Sequence, residues 1–112
     1  MLKKYLKERN NAQKVAVSDG ISSRFQNMNK DWSDKAWADY EYWQKQDRRT
    51  VAKINNLLKD IERNGASKGE GKPEYLKYIK SWSRRINSED RLVYEVIEGR
   101  LFIYSCKGHY ED

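Results

Sequence analysis

Between positions 33 and 46, Ala36, Trp37, Tyr40, Trp43 and Gln44 fall at i, i+1, i+4, i+7 and i+8. That spacing puts them on one stripe of an α-helix. Ser33 has the side chain of a helix N-cap, and Asp34 adds a negative charge to the first turn. A second stripe follows over 48–63, with Val51, Ile54, Leu57, Leu58 and Ile61 on one face. Asp47 can cap this helix, and Asn64-Gly65 ends it. The short link between the stripes predicts an antiparallel helical hairpin whose shared apolar side needs a partner.

After Gly65 the rhythm changes. Gly65, Gly69, Gly71 and Pro73 mark a loop. Three strand-like runs come next. Residues 81–87 alternate Trp82, Arg84 and Ile86 against Ser83 and Arg85, so the two arginines point to opposite faces. Residues 91–97 are almost continuously apolar, as in a central strand covered on both sides. Residues 100–107 follow Glu98-Gly99, a dipeptide suited to a two-residue hairpin turn, and 87–90 turn the preceding pair. The expected fold is α+β, with an N-terminal helical hairpin packed on one face of a small antiparallel sheet.

Composition narrows the picture. The chain has 112 residues, 38% hydrophobic and 36% charged, yet it carries 4 Trp, 8 Tyr and 2 Phe. So many aromatics indicate a packed core under a charged surface. A single cysteine, Cys106, excludes an internal disulfide framework and fits a reducing cytoplasm. No run approaches the ~20 apolar residues of a membrane-spanning helix. The basic start, Met1 to Arg9, leads only to Val15-Ala16-Val17, too short for the apolar region of a signal peptide.

The net charge of +6 is uneven. Residues 1–27 hold six bases against two acids and lack sustained periodicity; they read as a mobile or loosely docked arm. Residues 28–112 hold 17 bases against 15 acids, with the excess concentrated over 68–91. A localised basic patch suits a polyanion groove better than general adhesion.

Several motifs fail on inspection. GASKGEGKP has five residues between Gly65 and Gly71 where a phosphate loop has four, and Pro73 stands where Ser or Thr would meet magnesium. One histidine and one cysteine cannot supply a zinc site of ordinary ligand spacing. Cys106 lies three residues from His109 but inside an apolar strand, where inert packing is the ordinary role.

A more promising set is Glu74, Arg84, Arg85, Arg91 and His109, spread over different elements of the second half. In an antiparallel meander the start of one strand lies beside the end of its neighbour, which puts Arg91 and His109 at one edge. Cleavage of RNA by its own 2′-hydroxyl needs a base, cations for the crowded phosphorane and an acid for the departing 5′ oxygen. Glu, Arg and His are suited to those tasks without a metal. Tyr75, Tyr78, Trp82 and Tyr110 offer flat surfaces for unpaired bases. These residues alone leave RNA binding and metal-free nuclease chemistry both open.

Five blocks carry a resemblance: AWADYEYWQKQDRR, KINNLLKDIERNG, GKPEYLKY, SWSRRINSEDRLVYEV and SCKGHY. In this order and spacing they resemble the YoeB (Txe) toxins of the RelE/ParE superfamily over roughly Met28 to Tyr110. The resemblance implies a RelE-like fold and an endoribonuclease that cuts mRNA in the ribosomal A site. It implies a YefM-type antitoxin as partner and no cofactor or metal; a homodimer stands as an open possibility that the sequence does not decide. By the family pattern Glu74 matches the general base, His109 the general acid and Arg91 the transition-state arginine. Arg85 and Lys77 match groups that hold RNA phosphate, with Arg84 beside them, and Tyr110 matches a substrate-orienting tyrosine. The expected product is a 2′,3′-cyclic phosphate.

The chain departs from the pattern in places. Family members begin near Met28, so residues 1–27 read as an addition or an upstream start. Asn29-Lys30-Asp31-Trp32 replaces the family's apolar first strand, which predicts a weak edge. Glu111 and Asp112 extend beyond the usual His-Tyr end. Two rival readings stand beside the nuclease: a ParE-like toxin that binds gyrase, and an inactive module that binds only RNA or antitoxin.

Overall fold

The computed structural model describes residues 28–109. The N-terminal segment 1–27, expected to be a mobile or loosely docked arm, and residues 110–112 lie outside that range. The element order is β1 (Asn29–Trp32), α1 (Asp34–Gln46), α2 (Arg48–Asn64), β2 (Glu74–Leu76), β3 (Ser81–Arg85), β4 (Arg91–Ile97) and β5 (Arg100–Ser105). The strands form one sheet in the order β1-β5-β4-β3-β2. The α+β architecture with its helical hairpin is as the patterning predicts. Among the described residues no helix is long and apolar enough to cross a membrane.

The helix boundaries follow from the caps. Ser33 Oγ accepts from the Ala36 N–H at 3.0 Å. Asp47 accepts from the Arg49 N–H at 3.0 Å and from the Thr50 hydroxyl at 2.9 Å. Ile54, Leu57, Leu58 and Ile61 of α2 are buried against Leu92, Tyr94, Leu101 and Ile103 of the sheet. The β4–β5 turn is the expected two-residue hairpin: Glu98 (φ +50) and Gly99 (φ +77) both take positive φ.

Two expectations need correction. The sheet has five strands, and it is not wholly antiparallel, because β1 runs parallel to β5. The polar sequence NKDW forms this edge strand because β5 offers it a free row of backbone groups. Ser33 N–H extends the pairing to Ile103 O at 2.9 Å, and Trp32 packs against the core. The α1 stripe is also rotated from the one the spacing suggested. Ala36 and Asp39 are buried, Tyr40 and Trp43 are half-buried, and Gln44 is exposed. Trp37 is 46% exposed and stacks edge-on with Trp32, ring centroids 5.6 Å apart. Buried Asp39 is accounted for by its bonds: it accepts from the Cys106 N–H at 3.0 Å and from Lys35 Nζ at 2.8 Å.

Candidate active site

The Gly-rich loop between α2 and β2 is organised around a buried cation. Arg84 is 0% exposed. Its Nη2 donates to Gly65 O at 2.8 Å and Lys68 O at 2.6 Å, and its Nη1 donates to Glu70 O at 3.0 Å and to Asp60 Oδ2. Its Nε donates to Tyr94 Oη at 2.8 Å, and that phenol donates to Ala66 O at 2.6 Å. A phosphate loop turns its N–H groups inward, whereas this loop turns carbonyls inward onto a guanidinium. Glycines allow the close wrap. A Cβ on Gly69 (φ +118) would lie 1.8 Å from Asp60 Oδ2, and one on Gly71 (φ +83) would lie 3.0 Å from Arg84 Cβ and Leu57 Cδ2.

This placement corrects the expectation that Arg84 touches substrate. With every donor nitrogen engaged and no exposed surface, it holds the loop that ends at Glu74. The pKa balance at Asp60 agrees. Burial pushes its carboxyl up, but the Arg84 hydrogen bond, the Glu70 N–H and the Arg84 charge outweigh that, and the pKa falls below 3.8.

The opposite face of the sheet carries the remaining candidates. Glu74 stands opposite Ser83, and Arg85 stands opposite Arg91. Paired residues and alternate residues share a face, so Glu74, Ser83, Arg85 and Arg91 lie together, away from the helices. With strands ~4.8 Å apart and ~3.3 Å of rise per residue, the Cα atoms of Glu74 and Arg91 are roughly 12 Å apart. Side chains of that length can close on one phosphate between them. Neither Arg85 nor Arg91 has a carboxylate partner among the described residues. Arg91 is 8% exposed, and its Nη1 donates to Asn87 O at 2.9 Å and Asp90 O at 3.2 Å. Arg85 is exposed, its backbone fixed by a 2.6 Å bond from its N–H to Gly71 O.

His109 follows a residue that is hydrogen-bonded to the start of β4. The Arg91 N–H donates to Gly108 O at 2.9 Å, and the Gly108 N–H donates to Asp90 Oδ1 at 2.9 Å. The residue before the histidine is therefore tied to the first residue of β4. Upstream, Trp43 Nε1 donates to Cys106 O at 2.8 Å, so α1 anchors the same segment. Asp90 and Asp39 are positioning residues that the candidate set lacked. Asp90 had a local signal: Asn87 Oδ1 accepts from the Glu89 and Asp90 N–H groups, each at 2.7 Å, as Asn does at a turn. Asp39 had only the local Lys35 pairing, because the segment it positions, at Cys106, is 67 positions away.

Lys77 is exposed just after β2. Tyr110 lies outside the described residues. Cys106 is buried, with its thiol pushed up to about 12 by burial and then by the Asp39 charge, so the inert reading is the apt one. Among the described residues no three His, Cys, Asp or Glu side chains gather where they could hold a metal ion.

A family profile described as the YoeB-like toxin of bacterial type II toxin–antitoxin systems matches residues 32–110. Toxin YoeB of Escherichia coli K12 is 52% identical over 81 residues, 70% of this chain and 95% of that protein. Toxin YoeB of Streptomyces coelicolor is 42% identical over 81 residues, again 70% and 95%. A YoeB dimer from Staphylococcus aureus superposes with a TM-score of 0.72 at 50% identity, covering 76% of this chain and all of that one. A YoeB–YefM complex from the same organism superposes at 0.70 and 49% identity, with the same coverage. YafQ in the E. coli DinJ–YafQ complex, at 15% identity and a TM-score of 0.61 over 75% of this chain and 94% of that one, shares the fold. The chain belongs to the YoeB-like toxins of bacterial type II toxin–antitoxin systems, within the RelE/ParE superfamily.

Proposed function

We propose that this chain is an endoribonuclease that cleaves mRNA in the ribosomal A site and is neutralised by a YefM-type antitoxin. The observation that supports it most is the opposed Arg85–Arg91 pair, which shares a face with Glu74 and has His109 tethered beside it. Two cations held side by side without a carboxylate partner among the described residues suit a bound phosphate.

In this reading Glu74 takes the 2′-hydroxyl proton, and the 2′ oxygen attacks the adjacent phosphorus. Arg91 and Arg85 stabilise the negative charge that builds on the phosphorane oxygens. His109 gives its proton to the leaving 5′ oxygen. The P–O5′ bond breaks, leaving a 2′,3′-cyclic phosphate and a 5′-hydroxyl. Lys77 holds a neighbouring phosphate, and Tyr110 orients the substrate. The proposal includes no cofactor or metal. The S. aureus relatives are known as a dimer and in complex with YefM. A homodimer and an antitoxin-bound form therefore belong to this reading, in a cytoplasmic setting.

The test mixes the full chain with programmed ribosomes and maps the cut and its end groups. Glu74→Gln and His109→Gln are each expected to slow cleavage by ~10²–10⁴-fold. Both are expected to keep antitoxin binding. Full activity in both variants would overturn the assignment and return the gyrase-binding and inactive-module readings.

A further inference from the structure

A second feature of the open sheet face is a depression of about 360 Å³ lined by Ile79, Ser81, Val93, Glu95, Tyr104 and Ser105. It lies on the same sheet face as the candidate active site. Along β3, Ser81 lies two residues from Ser83; along β4, Val93 and Glu95 follow Arg91 on the same face. The register shifts at Val93/Tyr94, where Val93 faces Ser105 but Tyr94 faces Ile103. Tyr104 is the extra residue of this bulge, and bulges re-aim side chains in this way beside active sites.

The lining is built to read a flat polar ligand. Val93 and Ile79 are apolar, and the Tyr104 ring offers a stacking surface. Burial and then the Glu95 charge raise the Tyr104 pKa above 10.0, so its phenol remains a donor at neutral pH. Half-buried Glu95 accepts one long hydrogen bond, from Ser81 Oγ at 3.3 Å, and has no cationic partner among the described residues. The Ser105 hydroxyl is buried without any hydrogen-bond partner. A carboxylate so placed keeps acceptor capacity for the donors of a ligand.

We infer that this depression holds a guanine base of the bound mRNA, with Glu95 accepting from guanine N1–H and the exocyclic N2 amine. Guanine is the base whose Watson–Crick edge presents two adjacent donors. Adenine and cytosine set a ring-nitrogen acceptor beside their amine, and uracil flanks its single N–H with carbonyls. Single-stranded RNA is read on such edges. The inference rests on the proposed RNA cleavage and adds its base selectivity. A cationic side chain of the antitoxin is the competing occupant. The face shared with Arg91 and Glu74 and the stacking surface of Tyr104 favour the base.

The experiment measures single-turnover cleavage on ribosomes programmed with A-site codons in which each position in turn is G, A, C or U. The wild-type chain is expected to favour G at one position. Isosteric Glu95→Gln is expected to lower that G-over-other ratio about tenfold. Tyr104→Phe, which keeps the ring, is expected to retain most of it. Cleavage without a G preference, or a preference unchanged in Glu95→Gln, overturns the inference and leaves the nuclease reading standing. So does an equal loss at every codon, or weakened antitoxin binding with unaltered selectivity. No cleavage by the wild-type chain at any codon removes both readings.

Discussion

Arg84 and Asp60, 24 positions apart in sequence, form an ion pair beneath the sheet, and the loop between α2 and β2 folds over it. The pair belongs to the architecture, since Arg84 also binds three loop carbonyls and Tyr94. Removing one partner of a buried pair strands the other, at ~3–5 kcal/mol. Arg84→Met is therefore expected to destabilise the fold by about that much in urea unfolding monitored by tryptophan fluorescence. A variant of wild-type stability that failed only to bind RNA would return Arg84 to the substrate-contacting group.

The same pair shapes acid stability. The Asp60 pKa is lowered in the folded state from its ordinary 3.8, despite burial, by Arg84, the Glu70 N–H and Asn64. The sign follows from linkage: below the ordinary value the unfolded chain takes up the proton first. The stabilisation is thus complete above 3.8 and drains as pH falls through the lower folded-state value. Asp47 adds to the trend in the same direction, chiefly through the Thr50 hydroxyl. Urea unfolding between pH 6 and pH 2.5 should show a falling midpoint below pH 4. Asp60→Asn should start lower and fall less steeply over that interval.

Arg85 and Arg91 trade stability for binding. Like charges directly opposite on neighbouring strands are destabilising, on the scale of ~0.2–1 kcal/mol for a cross-strand pair. Arg85 is exposed, so Arg85→Gln is expected to leave stability unchanged or raise it within that range, measured by urea midpoint. The same substitution should weaken RNA cleavage and flatten its dependence on salt, because one phosphate contact is lost. A clear loss of stability would mean that Arg85 is held by the fold rather than kept for an anion.

Much of the architecture was legible because it is written locally. Ser33 and Asp47 cap helices with their own neighbours, Glu98-Gly99 takes the one backbone shape that a short hairpin needs, and β4 is marked by its apolar run. The candidate site was legible only in part. Glu74, Arg85, Arg91 and His109 carry chemistry visible in their residue types, and strand alternation separates Arg84 from Arg85. Alternation sets Arg84 on the apolar face with Trp82 and Ile86, but residue type argues against burying a charge there. Arg84, with a charge that normally seeks water, is the buried one.

Chain order and residue type by themselves determined the two helices, their caps, the central strand, the hairpin turn and the set of groups able to move a proton or hold a phosphate. Tertiary structure alone decided that NKDW pairs beside β5, that Glu74–Leu76 becomes a strand on β3, and that the glycine loop closes on a guanidinium rather than a phosphate. It also decided that the β5 bulge sets Tyr104 at a depression on the sheet face that carries Arg91. The physical reason is common to all of these. Short polar strands and buried charges have no favourable state on their own, so their place is set by backbone groups and counter-charges that only folding brings near.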